Sequence, residues 1–217
     1  GKNWLKKSLI ELSKQTYKNF EIIVIDNNSN DNSVSWLKKK FPKVKVIKSH
    51  INLGFGKANN LGVKHSNGSE ILLLNNDTKF KPDFLEKLLT FKQKTKTNIV
   101  GPRLLDFNGH DPYHSKKLSI DPLSVHGWGK KIFFVEGCAL MISKKDYLKL
   151  EGFDPAYFMY SEDIDFCWRA WMYGMKIDVC KDLALIHFGG GSSQQTRKQK
   201  QVRHIAPLSR RFEVEKN

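Results

Sequence analysis

The sequence predicts an α/β domain with a mostly parallel sheet flanked by helices. EIIVID (21–26) and EILLLNN (70–76) are short, nearly continuous apolar runs, typical of strands buried on both faces of a parallel sheet. Both runs lead into Asn- and Asp-rich stretches, and the segments between the apolar runs carry apolar residues at helical spacing. This alternation of strand and helix favours a parallel sheet covered by helices.

Composition sets limits on the class of protein. The chain has 217 residues, and 40% of them are hydrophobic, which is typical of a globular domain. No run approaches the ~18–20 apolar residues of a membrane-spanning helix. The cysteines Cys138, Cys167 and Cys180 are odd in number and lack CxxC spacing, which argues against a disulfide scaffold or a zinc ribbon. We therefore expect a reduced, cytoplasmic setting.

Helices in the first hundred residues are indicated by apolar spacing and by residues typical of helix ends. Leu5, Leu9 and Leu12 recur at helical spacing. Ser33 is a common capping residue, and Pro42 ends the pattern that follows it. Pro82 precedes acids that suit a first helical turn. The predicted helices are 4–15, 33–41, one entered through 52–62 and one starting at Pro82; the predicted strands are 21–26, 44–47 and 70–76.

The second half continues with strands and one long loop. Residues 106–131 are rich in Gly, Pro, His and Lys and are predicted to form a loop. Strands are expected at 98–104, 131–143, 176–180 and 183–188, with a helix at 161–173. We expect one domain, residues 1–192, followed by a basic tail, residues 193–217.

Charge is distributed unevenly over a chain whose net charge is +15. Residues 151–165 contain five acids, with no Lys or Arg. The Lys surplus elsewhere has two interpretations: a solvated surface, or attraction to an anionic partner such as a phosphorylated ligand, lipid headgroups or nucleic acid. An acidic cluster in so basic a chain indicates a specific role.

Polar clusters follow two of the predicted strands. Asp26-Asn27-Asn28-Ser29 follows the first, and Asn75-Asn76-Asp77-Thr78 follows the third. Ligands bind at the carboxyl ends of parallel strands, so both clusters should open into one crevice. There, Asp26 would accept hydrogen bonds from a base or ribose, and Asp77 would bind a divalent cation. The alternative for each cluster is local turn chemistry.

Acidic residues also begin the predicted helix 161–173. Glu162 and Asp163 stand there, beside Tyr157, Phe158 and Tyr160. Capping alone would account for acids in a first turn. A carboxylate at the rim of an aromatic cleft would also suit a general base for a sugar hydroxyl.

Other motifs are weaker. A dinucleotide-binding GxGxxG pattern fails at Asn59, and no P-loop is present. Pro112 separates His110 from His114 and prevents a helical metal pair. His187 precedes a glycine run that suits phosphate binding, although a structural role is the alternative.

The ordered set of segments resembles family 2 glycosyltransferases of the GT-A fold, especially their bacterial rhamnosyltransferase-like branch. The resemblance covers about residues 1–193. It implies an inverting hexosyltransferase-type enzyme of polysaccharide or cell-envelope biosynthesis, which moves a sugar from a nucleotide-diphosphate donor to a saccharide or lipid-linked acceptor. The matching segments are EIIVIDNNSNDNS, NLGFGKANNLG, LLLNNDT, EGCALMIS, GFDPAYFMYSEDIDFCWRAWMYG and IHFGGGSS.

The resemblance also implies residue roles. Asp163, paired with Glu162, would be the catalytic base. Asp77 would bind Mg²⁺ or Mn²⁺, with His187 as a second ligand. The position of the family's DxD motif reads Asn-Asn-Asp here, one carboxylate short. The residues expected to bind the nucleotide sugar are Asp26, Asn28, Asn52, Gly54, Phe55, Asn59, Asn75 and Asn76.

One departure from the family concerns its first strand, an apolar strand before the first helix, which this sequence lacks. We therefore expect a truncated form of a longer protein, and a non-catalytic nucleotide-sugar-binding fragment is the alternative function. A nucleic-acid-binding module is disfavoured by the acidic cluster. For the basic tail, peripheral contact with an anionic membrane and a solvated extension remain equal alternatives.

Overall fold

The computed structural model describes residues 2–111, 119–120 and 132–189. Its helices are α1 (Lys2–Ser13), α2 (Ser33–Lys40), α3 (Gly54–Lys64), α4 (Phe84–Thr95), α5 (Lys144–Lys149) and α6 (Glu162–Met172). Its strands are β1 (Ile23–Asn27), β2 (Lys45–Ser49), β3 (Glu70–Leu74), β4 (Thr78–Lys79), β5 (Ile99–Leu105), β6 (Ser119–Ile120), β7 (Ile132–Phe133), β8 (Ala139–Ser143) and β9 (Ile177–His187). The predicted α/β class is confirmed.

The strands form a mixed arrangement. β1 and β2 pair in parallel, and β6 pairs with β7. The largest sheet has the order β3-β8-β5-β9-β4. Within it β5 and β9 are parallel, whereas β8 is antiparallel to both β3 and β5, and β4 is antiparallel to β9. Consequently β3, β5 and β9 run in one direction and end on the same side.

Two hydrophobic clusters cover the two faces of this sheet. Ile99 and Ile142 belong to a cluster that includes Phe166 of α6. Val100 and Met141, their neighbours along β5 and β8, belong to the other cluster, with residues of α4. Successive side chains of a strand point to opposite faces, so the sheet is buried between helices on both sides.

Several predicted boundaries were different in the structure. The strand predicted at 131–143 is interrupted by a turn at residues 137–138, which separates β7 from β8. The strands predicted at 176–180 and 183–188 are one strand, β9, whose pairing with β5 shifts register between Pro102 and Arg103. Helix α2 is preceded by Asn32 in a left-handed conformation, so Ser33 is its first residue and not its cap. The short helix α5 was not predicted.

Some expectations lie outside the described residues. These are most of the loop 106–131, His114, the glycines after Gly189, and the basic tail 193–217. Within the part of the chain that the structure describes, no helix has the length and apolar character needed to cross a membrane.

Candidate active site

The side chain of Asn27 holds the start of α3 against the end of β1. Its Nδ2 donates to Oδ1 of Asn52 (2.9 Å) and to the carbonyl of Gly54 (3.1 Å). Its Oδ1 accepts a hydrogen bond from the Leu53 amide at 2.7 Å. Asn27 belongs to the polar cluster after β1, and no role was predicted for it. Its three hydrogen bonds bring Asn52 and Gly54 next to β1, as the predicted donor pocket requires.

Asp26, at the end of β1, combines burial with local turn chemistry. It is 6% exposed, and its Oδ1 accepts a hydrogen bond from the Ser29 amide at 3.1 Å. Asn28 in this turn is exposed and left-handed, with φ of 66°. The turn interpretation is therefore correct for part of this cluster, since Asp26 caps the turn itself.

Helix α3 meets the aromatic segment before α6 through backbone contacts. The Phe55 amide donates to the carbonyl of Phe158 at 2.9 Å. Gly54 has φ of +76°, and a Cβ there would lie 2.1 Å from that same oxygen. The side chain of Asn59 donates within the helix, to the carbonyl of Phe55 at 3.0 Å. The contact joins the segment expected to bind the donor to the segment expected to supply the base.

Gly137 bridges Phe55 and the acidic start of α6. Its amide donates to Oδ2 of Asp163 at 2.9 Å. A Cβ on Gly137 would lie 2.8 Å from Cε1 of Phe55, so only glycine leaves this approach unhindered. The Phe55 ring and the Asp163 carboxylate thus flank the same turn.

Glu162 and Asp163 occupy the first turn of α6 and differ in hydrogen bonding. Asp163 accepts a second hydrogen bond, from the Ile164 amide at 2.9 Å. Burial raises the pKa of Asp163, although both backbone hydrogen bonds oppose this. Burial, together with the charge of Asp163, raises the pKa of Glu162 to about 7. Glu162 is 5% exposed, and its Oε2 has no hydrogen-bond partner among the described residues.

Asp165, the third acid of the turn, has a structural role. It pairs with Arg169 at 2.8 Å, and both side chains are buried. Arg169 also donates to the carbonyls of Gly152 (2.9 Å) and Leu150. This network ties α6 to the loop after α5. Of the three acids in this turn, Asp165 therefore pairs with Arg169, whereas Asp163 contacts Gly137.

Asp77 and His187 meet where β4 pairs with the end of β9. Thr78 is opposite His187 in the ladder, and Oδ1 of Asp77 lies 3.4 Å from Nε2 of His187. Nδ2 of Asn75 lies 3.4 Å from the same nitrogen. Burial lowers the pKa of His187, but the hydrogen bond to Asp77 and the charges of Asp77 and Glu136 outweigh it, and the net pKa is raised. Two predicted metal-binding residues thus lie together.

Glu136 and Cys138 were missed by the sequence analysis. Their ligand atoms and a ring nitrogen of His187 all lie within 4.8 Å of one another. The Asn75 amide donates to the carbonyl of Cys138 at 2.9 Å. Burial raises the pKa of the Cys138 thiol well above its usual value, and the charges of Glu136, Asp163 and Asp77 act in the same direction. Asp77 and Asp163 are therefore both close to Cys138. The signal for these two residues in the sequence is Glu136, an acid within the apolar run KIFFVEGCALMIS (131–143).

The sequence profile of Glycosyl transferase family 2 matches residues 2–166. The chain belongs to this family. It is 28% identical over 182 residues to the low-salt glycan biosynthesis hexosyltransferase Agl10 of Haloferax volcanii, an alignment that covers 77% of this chain and 58% of that protein. It is also 26% identical over 206 residues to the dTDP-rhamnosyl transferase RfbF of Shigella flexneri, covering 87% of this chain and 66% of that protein. This family 2 chain thus spans under two thirds of each relative, and its similarities agree with a rhamnosyltransferase-like branch.

The fold is also found in solved structures. The S. aureus TarS 1–349 structure in complex with UDP superposes with a TM-score of 0.70 and 19% identity, over 86% of this chain and 56% of that chain. The similarity confirms the predicted GT-A fold for this family 2 domain.

Proposed function

We propose that this chain transfers a hexosyl-type sugar from a nucleotide-diphosphate donor to an acceptor hydroxyl, with inversion at the anomeric carbon. The observation that carries the proposal is the environment of the turn at residues 137–138. The Gly137 amide donates a hydrogen bond to Asp163, and Gly137 lies against the Phe55 ring. The Cys138 carbonyl accepts a hydrogen bond from the Asn75 amide. A proposed base, a donor-binding ring and the proposed metal-binding segment thereby adjoin one turn.

The donor pocket consists of the β1 turn, the start of α3 and the segment after β3. Asp26, buried at the end of β1, suits the donor nucleoside as a hydrogen-bond acceptor. The names of the relatives support a nucleotide sugar: one is a dTDP-rhamnosyl transferase, and TarS was solved with UDP. The other donor-binding residues in this proposal are Asn28, Asn52, Gly54, Phe55, Asn59, Asn75 and Asn76.

Asp77 and His187 would hold Mg²⁺ or Mn²⁺. Their 3.4 Å separation and their O and N donor atoms fit two ligands of one ion. A bound divalent ion offsets negative charge on a departing diphosphate. The Asn75-Asn76-Asp77 segment has only one carboxylate, so in this proposal the diphosphate contributes more to holding the ion.

Asp163 is the general base of the proposed mechanism. Its carboxylate takes the acceptor's proton as the acceptor oxygen bonds to the anomeric carbon, opposite the diphosphate. The bond from that carbon to the diphosphate oxygen breaks, and its electron pair leaves with the diphosphate. The amides of Gly137 and Ile164 hold the carboxylate in one orientation, which such a proton transfer requires.

The acceptor in this proposal is a saccharide or a lipid-linked glycan. The enzyme acts in the cytoplasm, and peripheral contact with the inner face of the membrane and a solvated tail remain the two alternatives. The relative from Haloferax volcanii is named for glycan biosynthesis, which supports a glycan acceptor.

Calorimetric titration with UDP- and dTDP-sugars tests donor binding. We expect one of these donors to bind, more tightly with Mn²⁺ than without it, and Asp77→Asn to remove most of the Mn²⁺ effect. The anomeric configuration of the transfer product, measured by NMR, then tests inversion. A folded chain that binds no nucleotide sugar with or without Mn²⁺ would refute the proposed function. Donor binding without any transfer would instead favour the non-catalytic alternative.

A further inference from the structure

We propose that Glu136, Cys138 and His187 form a mixed-donor cation site beside Asp77, which prefers a borderline ion such as Co²⁺ or Zn²⁺ to Mg²⁺. The proposal deepens the proposed function, because it gives the metal position two ligands that the sequence analysis did not assign.

The distances suit coordination of one ion. The ligand atoms of Glu136, Cys138 and His187 all lie within 4.8 Å of one another, with 3.9 Å between the Cys138 sulfur and Oε2 of Glu136. Nε2 of His187 lies 3.4 Å from Oδ1 of Asp77. A tetrahedral ion with ligand bonds of ~2.0–2.3 Å separates its ligands by roughly 3.3–3.8 Å. Small side-chain movements would therefore bring the ligand atoms of Glu136, Cys138 and His187 to ligand distance, with Asp77 next to His187.

Paired strands hold the backbone on which these residues lie. Glu136 and Cys138 flank Gly137, and the segment continues into β8, which pairs with strands on both sides. His187 ends β9, which pairs with β5 and β4. Cys138 is 5% exposed, and the His187 side chain is 24% exposed. The sulfur thus lies on the protein side of the site, and the histidine lies nearer to solvent.

The donor chemistry decides the preferred ion. Mg²⁺ prefers oxygen ligands, whereas a thiolate and an imidazole favour Co²⁺ and Zn²⁺. Glu136 also supplies a second carboxylate near Asp77, where the Asn75-Asn76-Asp77 segment has only one. Coordination by Cys138 requires loss of its thiol proton, which would be released to solvent on binding.

Titration of the metal-free chain with Co²⁺, without donor, tests the site. We expect saturable binding of a single ion, with a thiolate-to-cobalt charge-transfer band in the near ultraviolet, and Mg²⁺ should not displace this ion. Cys138→Ser should remove the band, and Glu136→Gln should weaken Co²⁺ binding about tenfold or more. Cys180→Ser is the matched control: Cys180 is a buried free cysteine outside the ligand group, and its removal should leave the spectrum unchanged. Circular dichroism establishes that each variant is folded.

The same titration can overturn the inference. Absence of the charge-transfer band in the wild-type chain, or an unchanged band in folded Cys138→Ser, would exclude Cys138 as a ligand. Unchanged Co²⁺ affinity in folded Glu136→Gln would exclude Glu136. These results use no donor and no turnover, so they are independent of the donor-binding and transfer experiments that test the proposed function.

Discussion

The Gly137 amide donates a hydrogen bond to Oδ2 of Asp163 across 2.9 Å. The two residues are 26 positions apart in sequence, and the bond joins the turn before β8 to the first turn of α6. It orients the proposed base toward a turn that also contacts Phe55 and Asn75. In the proposed mechanism, this hydrogen bond fixes the orientation of the base toward the acceptor.

Gly54→Ala should destabilise the protein and weaken donor binding. The new Cβ would lie 2.1 Å from the Phe158 carbonyl, so the backbone at the start of α3 would have to move. Gly174→Ala is the control, because Gly174 has a similar φ of +71° but, within the described part of the chain, no heavy atom near its built Cβ. That control should lose only about 1–2 kcal/mol, from backbone strain. Chemical denaturation measures the free energy of unfolding of both variants. Equal losses of stability in Gly54→Ala and Gly174→Ala would contradict the steric explanation.

Glu162→Gln should stabilise the chain at pH 8. The pKa of Glu162 rises from an ordinary 4.5 to about 7 on folding. Between these two pH values, the folded state therefore holds a proton that the unfolded state has lost, and at pH 8 the folded state must bury a charged carboxylate. Wild-type stability should therefore fall as pH rises from about 4.5 to 7, by on the order of 3 kcal/mol from this group. The glutamine variant should lack that part of the pH dependence.

The check is urea denaturation across pH, with Glu86→Gln as control. Glu86 also lies in a first helical turn, that of α4, but is exposed. Its replacement reports what the loss of an exposed first-turn carboxylate does to stability. If the stability of Glu162→Gln changed with pH as that of the wild type does, the conclusion that Glu162 is buried with a raised pKa would be wrong.

Asp165→Asn should lower the stability of the protein without abolishing sugar transfer. The substitution leaves the buried Arg169 guanidinium without its carboxylate, and breaking a buried pair in this way typically costs about 3–5 kcal/mol. Turnover per folded molecule should persist, because Asp165 faces Arg169 and not Gly137. Thermal unfolding together with a transfer assay separates the two effects. Full stability in this variant would show that the ion pair does not hold α6 in place.

The strongly patterned elements could be predicted from sequence. β1 and β3 are short apolar runs, although most of their residues are half-buried and not fully buried as expected. α6 begins with acids and carries an apolar stripe, so local signals were sufficient to predict these elements. α5 has only six residues, too few for a periodic pattern, and its cap depends on Ser143 accepting from the Asp146 amide.

The site was predicted less completely, because its geometry depends on contacts between distant segments. Asp77 was predicted as a metal ligand from its position after β3 and His187 from the family resemblance, and the structure brings these two side chains together. Glu136 and Cys138 lie near His187 only because the segment before β8 and the end of β9 meet in the folded chain. No local pattern distinguishes Asp165, which pairs with Arg169, from Asp163, which bonds Gly137.

The rate of sugar transfer by Asp163→Asn, measured beside its donor affinity, tests the central claim most directly. An amide cannot accept the acceptor's proton, so turnover should fall by about 10²–10⁴-fold while calorimetric affinity for the donor stays within a few-fold of wild type. Wild-type turnover by this variant, with an identified donor and acceptor, would contradict the assignment of Asp163 as the general base.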